Sequence, residues 1–224
     1  MLTETLFNDV ETVEVTMIHG NASNGKYGVF GATEGVVLVD DQDNIELIKN
    51  VEGLNAESWL SHIHGHDNTD LFFGNASQVG VFKVDPVSKT MAKIYSGDDV
   101  INEMFNFNGE YYIIHTSDNK IRVFDAHNGN EIASRVIEVA NIPKLSQTNG
   151  REMAELMEAD EPNPVLVTSD KFLYVLAPNR TQIKVLEIAS LKHVHTIELP
   201  TAVDSIVKNG FSMEGDQNSD HNHG

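Results

Sequence analysis

His62, His64 and His66 place three imidazoles within five residues, the densest chemistry-bearing pattern in the chain. On an extended strand, residues two apart point to the same side, so His62 and His64 can share a face. His66 follows Gly65 and could fold back towards them on a turn. Asp67 and Asp70 add carboxylates nearby, as ligands or as acceptors that fix an imidazole tautomer. Nitrogen and oxygen donors converging without thiolate suit tetrahedral Zn(II), and copper or nickel takes the same ligand types. A hydrogen-bonded turn rich in histidine is the plain alternative.

A second observation bears on the cluster. His19–Gly20 precedes His64–Gly65 by 45 residues. If that interval is one structural repeat, the two pairs occupy equivalent positions in neighbouring units and face each other. Asn108–Gly109 and Asn209–Gly210 stand at similar points further on. Histidine-glycine and asparagine-glycine are also ordinary turn dipeptides, which explains the glycines but not the choice of histidine twice. The expected metal set is therefore His19, His62, His64, His66 and Asp67. His221 and His223, in the polar acidic stretch Glu214–Gly224, suit weak, transient metal capture or a solubilising tail; residues 212–224 are expected to be disordered. His193 and His195 flank Val194 and read as surface residues, His115 as a core or turn histidine, and His127 as part of a turn.

The elements that would carry these side chains show in a repeat. Gly35–Asn50, Val79–Tyr95, Lys120–Ile137 and Gln182–Leu199 each read as an apolar strand, a polar turn and a second apolar strand. Aligning Val37, Val81, Val123 and Val185 gives spacings of 44, 42 and 62. The surplus in the last interval falls in residues 141–164, which read as an inserted loop or short helix. Two more strand-like runs precede each unit: Val15–Gly20 and Tyr27–Ala32, Trp59–Gly65 and Asp70–Asn75, Ile101–Gly109 and Tyr111–Asp118, Val165–Asp170 and Phe172–Pro178. Four strands per period of about 40–45 residues is the pattern of a β-propeller blade. An ordinary β-sandwich is the alternative, since its strands recur at similar short intervals. The expected fold is all-β: residues 1–211 as a propeller of about four complete four-stranded blades plus one extra strand. Innermost strands are expected at Glu14–His19 and, unpartnered, at Thr201–Phe211. Two innermost strands with one set of partners do not close a ring. The chain thus reads as the C-terminal part of a larger ring, as one member of an oligomer, or as a small four-bladed ring with a loose terminal strand.

Composition removes several functional classes. Fifteen Lys and Arg against 34 Asp and Glu give a net charge of −19, and cysteine is absent. Such a charge opposes binding driven by phosphate contacts or by anionic lipid, so neither nucleic acid nor a membrane surface is an expected partner. Without thiols there is no disulfide framework, thiolate zinc site or cysteine nucleophile. No apolar run has the length of a membrane span. Met1–Val10 lacks the basic and apolar regions of a secretory leader. If Met1 is the true start the protein is cytoplasmic; a processed or missing leader is the alternative. No phosphate-binding glycine loop, nucleophile elbow or His-Glu-x-x-His helix occurs, so a non-enzymatic role is expected. A metal-dependent hydrolase or lactonase is a weaker alternative, and a metal-free interaction scaffold a stronger one.

The segments Ile18–Asn21, Gly28–Val39, His64–Asn75 and Val79–Pro86 resemble the periplasmic zinc metallochaperones of the AztD type. The resemblance covers most of the chain and corresponds to the C-terminal half of that family. It implies a β-propeller that binds Zn(II) and passes it to the solute-binding protein of a zinc ABC transporter in the periplasm. The metal role carries over to His19, His64 and His66, with Asp67 beside them. The family's N-terminal half, with its leader and histidine-rich segment, has no counterpart here, and its blades would supply further ligands.

Overall fold

Each blade-sized unit of the sequence supplies strand-forming runs, rich in apolar and β-branched residues, that break at turns in which a side chain caps the backbone. Asp40 accepts from the amides of Gln42 and Asn44, Asp85 from those of Val87 and Ser88, and Asp125 from that of His127. These aspartate turns close the outer hairpin of three successive units. A computed structural model describes residues 13–140 and 162–209. Among them sixteen strands form four antiparallel four-stranded sheets, and each sheet takes its strands in chain order.

The first sheet comprises β1 (Ile18–Ser23), β2 (Tyr27–Ala32), β3 (Gly35–Asp40) and β4 (Ile45–Lys49); the second β5 (His62–His64), β6 (Phe72–Ala76), β7 (Gly80–Asp85) and β8 (Thr90–Ser96). The third has β9 (Val100–Phe105), β10 (Tyr111–Thr116), β11 (Lys120–Asp125) and β12 (Glu131–Val136); the fourth β13 (Val165–Thr168), β14 (Phe172–Leu176), β15 (Gln182–Glu187) and β16 (His193–Glu198). These are four β-propeller blades, as the repeat predicts.

Alternation along the strands decides which blade each side chain meets. Phe72 packs with Val29, Val36 and Leu38 of the first blade, while adjacent Phe73 packs with Tyr112, Ile114 and Phe124 of the third. Tyr112 and Ile113 divide likewise, Ile113 joining Leu166, Leu173 and Leu186 of the fourth blade. The core is thus three apolar layers, one between each pair of successive blades. Phe72, Phe73, Phe82, Phe124 and Tyr112 are fully buried, each contributing about 1.5–3 kcal/mol by removal from water.

Polar contacts lace the turns that join the two inner strands of each blade. The Asn24 amide donates to the Thr69 carbonyl at 2.9 Å and the Asn106 amide to the Asp170 carbonyl at 2.9 Å. The same two side chains accept from the amides of Tyr27 and Tyr111, closing their own turns. One end of the blade stack is therefore stitched from blade to blade.

Two expectations change, and two lie outside what the structure describes. The first inner strand is Ile18–Ser23, not Glu14–His19, because its partner β2 ends at Ala32, which pairs with Ile18. Residues 13–16 have no opposing backbone in that sheet. Residues 201–209 form no strand; Val203 donates its amide to the Arg180 carbonyl, and Lys208 rests its ammonium on the Phe107 ring. A strand exists only through its pairing, and residues 201–209 pair with none of the described strands. The insertion at 141–164 falls almost wholly, and the tail 212–224 with His221 and His223 wholly, outside the described residues.

Candidate metal centre

The innermost strands of the first two blades carry three of the expected ligands, His19, His62 and His64, and the turn after β5 carries His66 and Asp67. A bulge between Ile18 and Asn21 interrupts the pairing of β1 with β2. Gly20 makes it possible with φ of +83°, and a side chain there would collide with the Ser61 carbonyl at 2.2 Å. Gly31 opposite is as tightly held, a Cβ on it meeting the Leu60 carbonyl at 1.8 Å. Two missing side chains thus let the second blade's entry strand lie directly against the first blade.

That approach brings His19 and His62 together. Their rings lie edge to face with centroids 6.3 Å apart. The Nδ1 of His19 sits 3.1 Å from the Ser61 carbonyl oxygen. A carbonyl only accepts, so Nδ1 carries the hydrogen and Nε2 keeps its lone pair, the tautomer a metal-binding imidazole needs. His62 Nδ1 lies 3.3 Å from the Ser61 hydroxyl, and its ring lines a cleft of about 150 Å³ with Asn75, Gln78, Asp98 and Val100. Two imidazoles on one tetrahedral zinc, with Zn–N of about 2.0–2.1 Å, set their ring centroids about 5 Å apart. The pair is roughly 1 Å wider than that, a distance two exposed side chains cover by small rotations.

The register revises the equivalence of His19 with His64. Ala32 and Ala76 end the second strands of their blades, and Gly35 and Gly80, both at positive φ, begin the third. Counting back from these, Asn21 corresponds to Ile63 and the His19–Gly20 bulge to His62. His19 stands at the start of its strand, not the end, so its neighbour is His62.

His64 faces the third blade instead. Its Nε2 is 3.6 Å from Oε1 of Glu103 on β9, and its ring centroid is 6.0 Å from that of Tyr112. The fully buried Tyr112 hydroxyl donates to Oε2 of Glu103 at 2.8 Å. Burial, reinforced by the Glu103 carboxylate, pushes the phenol well above its ordinary range, so it remains a donor. Glu103 is itself largely covered and holds a hydroxyl on one oxygen while the other faces His64. Neither Glu103 nor Tyr112 stands out in the sequence, where they sit in the unremarkable runs Ile101–Gly109 and Tyr111–Asp118. Only the pairing of Ile114 with Glu103 across β9 and β10 sets them beside His64.

His66 has a different place. The Asn68 amide donates to its Nδ1 at 3.2 Å, which leaves the hydrogen on Nε2, and Nε2 lies 3.1 Å from the Phe107 carbonyl. Both ring nitrogens are engaged, and the ring closes over Gly109, where an added Cβ would lie 2.3 Å away. This imidazole joins the inner turns of the second and third blades at the stitched end, away from His19 and His62. Asp67 is exposed on the same turn, and Asp70 pairs with Lys26 at 2.9 Å. Among the described residues no three His, Cys, Asp or Glu side chains converge in a group that could hold a metal. The structure brings together two pairs, His19 with His62 and His64 with Glu103.

The arrangement of radial four-stranded sheets has parallels among solved structures. No protein-family model matches the sequence, and no curated protein matches it. Two structures of AztD from Citrobacter koseri, one of them the apo form, align over 83% of this chain and 48% of theirs. Identity is 20% in both, with TM-scores of 0.59 and 0.60. The dihydro-heme d1 dehydrogenase NirN, in complex with DHE, aligns over 88% of this chain and 41% of its own at 13% identity and a TM-score of 0.52. The fold is that of a β-propeller, and the chain spans about half the length of these neighbours.

Proposed function

We propose that the protein is a zinc-binding, metallochaperone-like propeller and that His19 and His62 begin its site. The observation that carries this reading is the His19 tautomer: the Ser61 carbonyl fixes the hydrogen on Nδ1 and leaves Nε2 as a donor atom beside His62. His64, backed by Glu103, offers a second donor on the same face of β5. Zinc is the cargo, exchanged rather than kept, and a two-histidine anchor at an exposed position suits release better than a closed four-ligand site. The likeness in fold to AztD and the resemblance of the segments around His19 and His64 support the same direction. On this reading the recipient is the solute-binding protein of a zinc ABC transporter, the compartment is the periplasm, and further blades or a partner complete the ligand set. His66 and Asp67 join only if the turn at Gly65–Asn68 rearranges.

A metal-free interaction scaffold is the competing reading, favoured by the engagement of both His66 nitrogens within the protein. The deciding experiment is zinc titration of chelator-dialysed protein against a chromophoric competitor. The chaperone reading expects saturable binding that weakens at least about tenfold in His19→Ala and in His62→Ala, as loss of a metal-site group does. Absence of saturable binding, or binding indifferent to both substitutions, overturns it.

A further inference from the structure

A second cleft lies away from the histidine pairs, between the outer strands of the third and fourth blades. It encloses about 360 Å³ and is lined by Arg135, Ile137, Glu138, Lys184, Leu186, His193 and Thr196, among others. That volume is at the lower end of the range for small-molecule sites. Buried Ile137 and Leu186 supply its apolar floor.

Its charge runs against the rest of the chain. Acidic residues outnumber basic ones more than two to one, and Lys26, Lys89 and Arg122 each pair with a carboxylate. Arg135 and Lys184 form no ion pair among the described residues. Main-chain oxygens hold them instead: Arg135 Nη1 donates to the Leu191 carbonyl at 3.2 Å, and Lys184 Nζ donates to the Glu138 carbonyl. A carbonyl positions a cation without cancelling its charge. Two oriented cations thus share one cleft with His193, whose Nε2 is 2.8 Å from the Thr196 hydroxyl. Among the described residues Glu138 is the single carboxylate in the lining.

We infer that this cleft binds a small organic anion bearing two or more acidic oxygens. The fork of Arg135 suits a carboxylate or phosphate in two-point contact, and Lys184 adds a point charge. The apolar floor accommodates a short carbon skeleton. A polyanionic macromolecule is disfavoured by the net charge of −19 around so confined a site.

The test uses the full chain, zinc-free and at fixed ionic strength, titrated separately with inorganic phosphate and with succinate by NMR. Saturable shifts confined to the cleft residues are expected with at least one probe. Phosphate alone would assign a phosphorylated ligand, and succinate alone a dicarboxylate. Arg135→Gln with Lys184→Gln is expected to weaken binding at least about tenfold, the worth of one charged hydrogen bond. Glu138→Gln is expected to tighten it, which guards against reading a damaged fold as lost binding. No saturable shift with either probe, or weaker binding in Glu138→Gln, overturns the inference. Because the cleft shares no residue with the histidine pairs, its failure leaves the zinc reading intact, and the converse holds.

Discussion

Replacing His62 and His66, four residues apart, should produce opposite phenotypes. His66 has both ring nitrogens hydrogen-bonded within the fold. Two hydrogen bonds of about 0.5–1.5 kcal/mol each put the cost of His66→Ala near 2 kcal/mol. For a domain of this size that lowers Tm by about 4–8 °C, at 2–4 °C per kcal/mol. His62 is exposed and makes one long contact to the Ser61 hydroxyl, so His62→Ala should change stability by no more than about 0.5 kcal/mol. Zinc reverses the ranking. At free zinc one hundred times Kd, binding to the native state adds about 2.7 kcal/mol, a rise of about 5–11 °C. If His62→Ala weakens affinity a hundredfold, the same zinc concentration adds only about 0.4 kcal/mol, or roughly 1–2 °C. Scanning calorimetry of wild type and both variants, with and without zinc, reads all of these values. A His62→Ala variant keeping the full zinc-dependent rise, or a His66→Ala variant losing it at unchanged zinc-free Tm, would refute the assignment of metal to the one and structure to the other.

Two further outcomes follow from buried polar groups. Tyr112→Phe removes the donor to Glu103 and leaves a largely covered carboxylate short of a partner; a loss of about 1.5–3 kcal/mol is expected in urea unfolding, and an unchanged midpoint would contradict the 2.8 Å contact. His115 is buried with Nδ1 unpartnered among the described residues, and burial holds its pKa below the ordinary value of 6.5. The unfolded chain then takes up the proton first, so stability should fall as pH drops from about 6.5 towards the lower folded-state value. His115→Leu should flatten that limb of the pH–stability curve.

Much of the fold was legible because its signals are local. The apolar-rich runs Val36–Val39, Val81–Val84 and Ile121–Phe124, each followed by an aspartate turn, mark the third strand of a blade wherever they occur. The inner strands are harder, since β1 begins where Ala32 gives it a partner and not where its own alternation starts. The site was less legible for a related reason. Spacing along the chain gave His19 and His64 the same place in the repeat, but the bulge at Gly20 shifts the count and aligns His19 with His62. Glu103 and Tyr112 carry no local signal at all, as their meeting with His64 depends on the register between β9 and β10. His66 shows the remaining limit: its residue type suggested a ligand, while the Asn68 amide and Phe107 carbonyl that occupy it are visible only in three dimensions.

The stitching of Asn24 to Thr69 and of Asn106 to Asp170, together with three separate apolar layers, means that each blade answers only to the blades beside it. Such a stack is modular in the engineering sense: a whole blade could be removed or inserted wherever the two newly apposed faces match, without redesigning the others. A single strand offers no such freedom, because its loss would open the layers on both sides at once.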